Sequence, residues 1–267
     1  MAVNSRFLIV GAGALVALLA AALLFGGGDS EAPVTVTASD QPRAEDSVAD
    51  LRPAPEPAGG RDRVLELPAN DHPLVWVKRR QKVQIHAAPG GAAVETVGHE
   101  TEFGSPTVFA VERTRGEWAG VPNPYTGNGT LGWVHLDRDR LRAGNTPYEI
   151  VVDLSERRAH LSRGGETMRT FTVSIGAPET TTPTGRFAVT DTFRGDLNPA
   201  YGCCAVALTA VQPNLPSGWL GGNRIAIHGT SGPLGVPNSS GCVRAADRDV
   251  SALVDAVYPG APVLIRE

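Results

Sequence analysis

The stretch IAIHGTSGPLGVPNSSGCVR, residues Ile225 to Arg244, carries a histidine and a cysteine on either side of a run of turn-forming residues. Ile225 and Ile227 alternate in the period of a half-buried strand, which carries His228 out at its end. Gly229 to Gly241 is rich in Gly, Pro, Ser and Asn, so this loop can fold back and return Cys242 beside the histidine. A nucleophilic cysteine acts as a thiolate, a free thiol is mostly protonated near neutral pH, and a positioned histidine is the usual activator. Gly241 removes side-chain bulk just before the sulfur, which makes the backbone N–H groups of Ser240, Gly241 and Cys242 candidates for an oxyanion hole. The competing reading is that a single cysteine in a β-rich domain is a small buried hydrophobe. The pair alone does not choose between them.

Working outward, Thr146 to Glu267 reads as mainly β. YEIVVDL and RAHLS form a strand pair across a turn, FTVSIG alternates Phe171, Val173 and Ile175, and GRFAVTDT continues the sheet. The one amphipathic helix is Asp247 to Val257, with Asp247 as its cap, Val250, Leu253, Val254 and Val257 on one face, and Pro259-Gly260 as its stop. APVLIRE closes as a strand. Upstream, Asp71 to Arg142 shows short strands with turn punctuation: Val83 and Ile85 share a face of KVQIH, Phe109 and Val111 fall together, and further turns precede Trp118 and Trp133. Such spacing suggests a small β-barrel, in which large aromatics usually fill the core.

The order VSIGAPETTTPTGRFAV, then IHGT, then LGVPNSSGCVR resembles the L,D-transpeptidases with the YkuD-type catalytic domain, over most of residues 146–267. The resemblance implies a cysteine acyltransferase acting on peptidoglycan stem peptides, with no cofactor and no metal. It implies Cys242 as nucleophile, His228 as general base and acid, and Gly229 as the residue whose backbone carbonyl orients the histidine. Arg244 falls where that family places Arg or Asn, and is read as site architecture or a partner for a substrate carboxylate. The stretch from Asp191 to Asn223 lies where the family has a flap, which makes Tyr201 and Trp219 candidates to wall the stem peptide. One position departs from the pattern: Ser240 stands where the family commonly has histidine. Cys203 and Cys204 fit no part of the motif, and are expected to be either an oxidised pair or buried thiols. Residues 71–143 resemble the bacterial SH3-like domains through Phe103-Gly104, Trp118 and Gly132-Trp133-Val134.

Other classes fit less well. In papain-like endopeptidases the cysteine precedes the histidine and heads a helix, whereas here the histidine comes first. The remaining histidines, His72, His86, His99, His135 and His160, show no metal-ligand spacing. A net charge of −4 and the lack of any lysine-rich run argue against nucleic acid as a partner. Ser240 is the best support for a rival in which a tethered wall-binding protein has lost its activity.

Residues 1–25 contain the uncharged apolar run Phe7 to Phe25, about the length that spans a bilayer. Arg6 precedes it and Asp29 and Glu31 follow, so an anchor would leave the rest outside the cytoplasmic membrane. A cleaved signal segment, with secretion to the cell wall, is the alternative. Residues 26–70 are rich in Pro, Ala, Gly and acid and lack aromatics, the composition of a disordered linker.

Overall fold

The computed structural model describes residues 64–69, 71–195, 197–215, 217–218 and 222–267. The apolar run and nearly all of the linker lie outside these residues, as do Trp219 and part of the flap stretch. Among the described residues no helix is long and apolar enough to cross a membrane.

Alternation builds the first part of the chain. Strands β1 (His72–Val77), β2 (Val83–His86), β3 (Ala93–Val97), β4 (Val108–Ala110), β5 (Arg113–Arg115), β6 (Trp118–Val121), β7 (Gly132–His135) and β8 (Leu141–Thr146) form two antiparallel sheets. Their orders are β4-β1-β8 and β3-β2-β7-β6-β5. Val75, Val83, Ile85, Phe109, Val121 and Val134 make a common core. Trp133 is buried, but Trp118 is half-buried between the rings of His86 and His135, at centroid distances of 4.9 and 5.2 Å, and so is not core filling.

The second part is an eight-stranded sheet in the order β11-β10-β9-β18-β13-β14-β15-β17. Its strands are β9 (Tyr148–Asp153), β10 (Arg158–Arg163), β11 (Glu166–Thr172), β13 (Gly185–Arg194), β14 (Cys204–Val211), β15 (Arg224–Gly229), β17 (Val243–Ala245) and β18 (Pro262–Arg266). A separate parallel pair joins β12 (Ile175–Gly176) to β16 (Pro237–Ser239). FTVSIG is therefore not one strand: it breaks after Thr172, where Ser174 bridges to Arg244 and Ile175 leaves to pair with Pro237.

The central strands β14 and β15 are buried on both faces, so they lack the alternation of β9. Helix α1 (Asp247–Ala256) packs against β13, β14 and β15, with Val250 and Leu253, and Val257 at its C-terminal end, in the main core. Asp247 is not its cap. The N-cap is Ala246, whose side chain has no oxygen to offer, and Asp247 is the first helical residue. Its carboxylate instead accepts the Cys203 N–H at 3.2 Å.

Leu74, Val108 and Ala110 of the first sheet system pack with Ala188 of β13. Across the same junction Arg224 pairs with Glu102 at 2.7 Å, and the Asn128 side chain donates to Val211 O and accepts from Val211 N.

Candidate active site

Strand β15 delivers the histidine and β17 the residue beside it. The two strands are parallel and pair His228 with Arg244, so neighbouring side chains project to the same face of the sheet. His228 is 4% exposed. Its Nδ1 lies 2.8 Å from the carbonyl oxygen of Gly229, a pure acceptor, so Nδ1 carries the ring proton and Nε2 is left as the basic nitrogen. Burial pushes the imidazole below the ordinary histidine range; the Gly229 carbonyl opposes this shift and the Arg244 charge adds to it. The resting ring is neutral at physiological pH.

Cys242 is a free cysteine just before β17. Its Sγ accepts the Ala226 N–H at 3.4 Å. Burial raises the thiol above its ordinary range, and the Ala226 N–H and the Arg244 guanidinium pull it partly back. A neutral thiol and a neutral base therefore line one cleft, and this pair of groups suits proton transfer to His228 as the sulfur attacks.

Both residues line a cleft of about 380 Å³, with Tyr201, Gln212, Ser240 and Arg244. Tyr201 sits on a short 3-10 turn, Pro199–Tyr201, and its ring lies 4.7 Å from that of His228. The turn approaches the strand closely because Gly202 follows it at φ +63°; a Cβ there would strike Asp247 and the Gly229 backbone. The Arg244 Nε is buried without a hydrogen-bond partner among the described residues. Cys203 and Cys204 are joined as a disulfide and do not line the cleft.

The loop entering Cys242 narrows the expected oxyanion hole. Gly241 N–H is already committed to Ser239 Oγ at 3.1 Å, so it is not a free donor. The N–H groups of Ser240 and Cys242 meet no acceptor among the described residues. Gly241 itself is required twice over: it adopts φ +112°, and a Cβ would press on the Gln212 amide and come within 3.0 Å of Ile225.

Three residues at this loop escaped sequence reasoning: Gln212, Thr180 and Thr182 hydrogen-bond to its backbone carbonyls. The two threonines lie inside the VSIGAPETTTPTGRFAV stretch, where their clustering was the available signal. Gln212 carried none.

Residues 147–265 match the family model for the YkuD-type L,D-transpeptidase catalytic domain. That segment is an L,D-transpeptidase catalytic domain. The chain is 28% identical to the YkuD protein of Bacillus subtilis (strain 168) over 148 residues, covering 55% of this chain and 71% of that protein. It is 30% identical to the YkuD protein of Bacillus licheniformis over 121 residues, covering 45% and 66%. The crystal structure of an L,D-transpeptidase from Mycobacterium tuberculosis H37Rv aligns with a TM-score of 0.40 at 19% identity, covering 51% of this chain and 72% of that one. The L,D-transpeptidase domain brings with it a transpeptidase-type function.

Proposed function

We propose that this protein is a peptidoglycan L,D-transpeptidase that forms 3-3 cross-links through a thioester on Cys242 and releases D-alanine from tetrapeptide stems. The observation that carries the reading is the tie between His228 Nδ1 and Gly229 O, which leaves Nε2 as the basic nitrogen of a ring that lines the same cleft as the free Cys242. Cys242 gives its proton to His228 Nε2 and attacks the carbonyl after the third residue of the donor stem. The N–H groups of Ser240 and Cys242 hold the oxyanion. Collapse expels D-alanine, whose amine takes the proton from His228 and leaves the thioester. The side-chain amine of a diaminopimelate on a second stem then attacks the thioester and gives its proton to His228. The sulfur leaves and recovers that proton. Arg244, with a buried N–H lacking an acceptor among the described residues, supplies a donor for a stem carboxylate or carbonyl, and Tyr201 walls the donor peptide.

The same proposal includes an extracytoplasmic location. Residues 1–25 anchor the chain in the cytoplasmic membrane, 26–70 serve as a tether, and 71–143 are an SH3-like module before the catalytic domain. Protease added outside spheroplasts then degrades the folded part, and recovery of the protein in culture supernatant, starting beyond Phe25, rejects the anchor.

The deciding experiment is mass spectrometry of the products formed by the full chain from disaccharide-tetrapeptide. A dimer that has lost one D-alanine is the expected result. Tripeptide without dimer would make the protein an L,D-carboxypeptidase. No product, together with no mass adduct from a carbapenem, would favour a wall-binding protein with an inactive domain.

A further inference from the structure

The backbone carbonyls of Ser239 to Cys242 are all held by side-chain donors. Thr180 Oγ1 donates to Ser239 O at 2.9 Å, Gln212 Nε2 to Ser240 O at 3.2 Å, Thr182 Oγ1 to Gly241 O at 2.9 Å, and Ser239 Oγ to Cys242 O at 2.6 Å. The peptide bonds are trans, so each N–H points opposite to the carbonyl of the residue before it. Pulling Ser239 O toward Thr180 turns the Ser240 N–H away from Thr180. Pulling Gly241 O toward Thr182 does the same for the Cys242 N–H. Ser240 and Cys242 line the cleft, and neither threonine does. The intervening peptide is held at both ends, by Gln212 on Ser240 O and by Ser239 Oγ on Gly241 N. Among the described residues two N–H groups are thereby left without a protein acceptor while the one between them is occupied.

Gln212 is the residue on which these segments meet. It is 3% exposed at the end of β14. Its Nε2 also lies 3.2 Å from Thr180 O and 3.1 Å from Thr181 O, and its Oε1 accepts the Asn214 N–H at 3.0 Å. One carboxamide therefore ties the threonine-bearing segment between β12 and β13 to the cysteine loop. Its two N–H groups are shared among three neighbouring carbonyl oxygens, of which that of Thr180 is buried.

We propose that Gln212 is a positioning residue for the oxyanion hole: acting with Thr182, it sets the backbone of Ser240 to Cys242 so that the N–H groups of Ser240 and Cys242 receive the charge that develops on the substrate carbonyl. This rests on the transpeptidase reading, because it presumes an acyl-transfer oxyanion. Gln212 touches no reacting atom in this role; it acts through the loop.

The test compares two reactions of the same sulfur in the full chain. Acylation by meropenem passes through an oxyanion, whereas alkylation by iodoacetamide displaces iodide and forms none. Gln212→Met keeps the side-chain length without the donors, Thr182→Val is isosteric without the hydroxyl, and Thr182→Ser retains it. The expected result is acylation slowed about tenfold or more in Gln212→Met and Thr182→Val, near wild-type acylation in Thr182→Ser, and alkylation within about twofold in all three. Equal loss of both reactions in Gln212→Met and Thr182→Val would show that these residues merely hold the fold, and unchanged acylation would show that the loop needs neither; either result overturns the inference. If Gln212→Met does not fold, as judged by a thermal melt, the threonine pair decides. Wild-type protein that is alkylated but never acylated would reject the functional reading itself, and the oxyanion role with it.

Discussion

The Nδ1–H of His228 donates to the carbonyl oxygen of the adjacent residue, Gly229, at 2.8 Å. A backbone carbonyl fixes the tautomer without adding a negative charge beside the ring. The imidazole is therefore oriented as in a carboxylate triad, but without the charge that would raise its basicity. Gly229 must lie close to its surroundings for this: a Cβ on it would strike the Asp247 carboxylate and come within 3.1 Å of Cys203 N.

Gly229→Ala should accordingly destabilise the protein by about 1–3 kcal/mol, the usual cost of overpacking, and slow acylation of Cys242. Asp247→Ala removes the nearest obstructing atom at the cost of one hydrogen bond to Cys203 N. The double variant should recover part of the lost stability and rate. A thermal-melt cycle checks this, and purely additive losses would show that the contact with Asp247 is not the cause.

The charge of Arg244 lowers the pKa values of both Cys242 and His228. Removing it in Arg244→Met should raise both. Alkylation of Cys242 by iodoacetamide, which follows the thiolate, should then rise at higher pH than in the wild type. In the wild type the base is lost only when His228 protonates, and that ring titrates below its ordinary value. Acylation should therefore persist as the pH falls through about 6.5, and in Arg244→Met it should begin to fail at higher pH. Alkylation and acylation profiles measured side by side report the two shifts separately.

The sequence carried the parts of this site that depend on local pattern. Ile225 and Ile227 mark the strand before His228, the Gly- and Pro-rich loop marks a return, and Gly241 marks a backbone with no room for a side chain. Arg244 beside His228 depends on the parallel register of β15 and β17, which no local period encodes. Gln212 was invisible because its partners are backbone carbonyls of distant segments, and a carbonyl leaves no mark on residue type. Local pattern makes Asp247 a cap by the same limit: nothing local shows that Cys203 claims its carboxylate. Sequence leaves the Gly241 N–H free, because its bond to the Ser239 hydroxyl is a matter of side-chain conformation.

The Cys203–Cys204 disulfide lies beyond the Tyr201 turn, and neither cysteine lines the cleft. The double change Cys203→Ala, Cys204→Ala should leave acylation of Cys242 by a carbapenem within about threefold, since neither sulfur meets the reacting atoms. Adduct formation followed by mass spectrometry measures it. A loss as deep as that of Cys242→Ala would mean that the pair shapes the chemistry.

Ser240 separates a backbone role from a side-chain role at the position where the chain departs from the family pattern. Its carbonyl is held by Gln212, and its N–H has no protein acceptor among the described residues. No hydrogen bond to its hydroxyl is found among those residues. Truncation to alanine keeps both backbone groups, so Ser240→Ala should acylate within a few-fold of wild type. His228→Ala removes the base and Cys242→Ala the nucleophile, and each should lose a factor of at least about a hundred. Each rate is read beside a thermal melt, so that a misfolded variant is not mistaken for an inactive one. A folded Ser240→Ala as inactive as Cys242→Ala would make the hydroxyl a catalytic group in place of the missing histidine, and the oxyanion hole would then not be built from backbone alone.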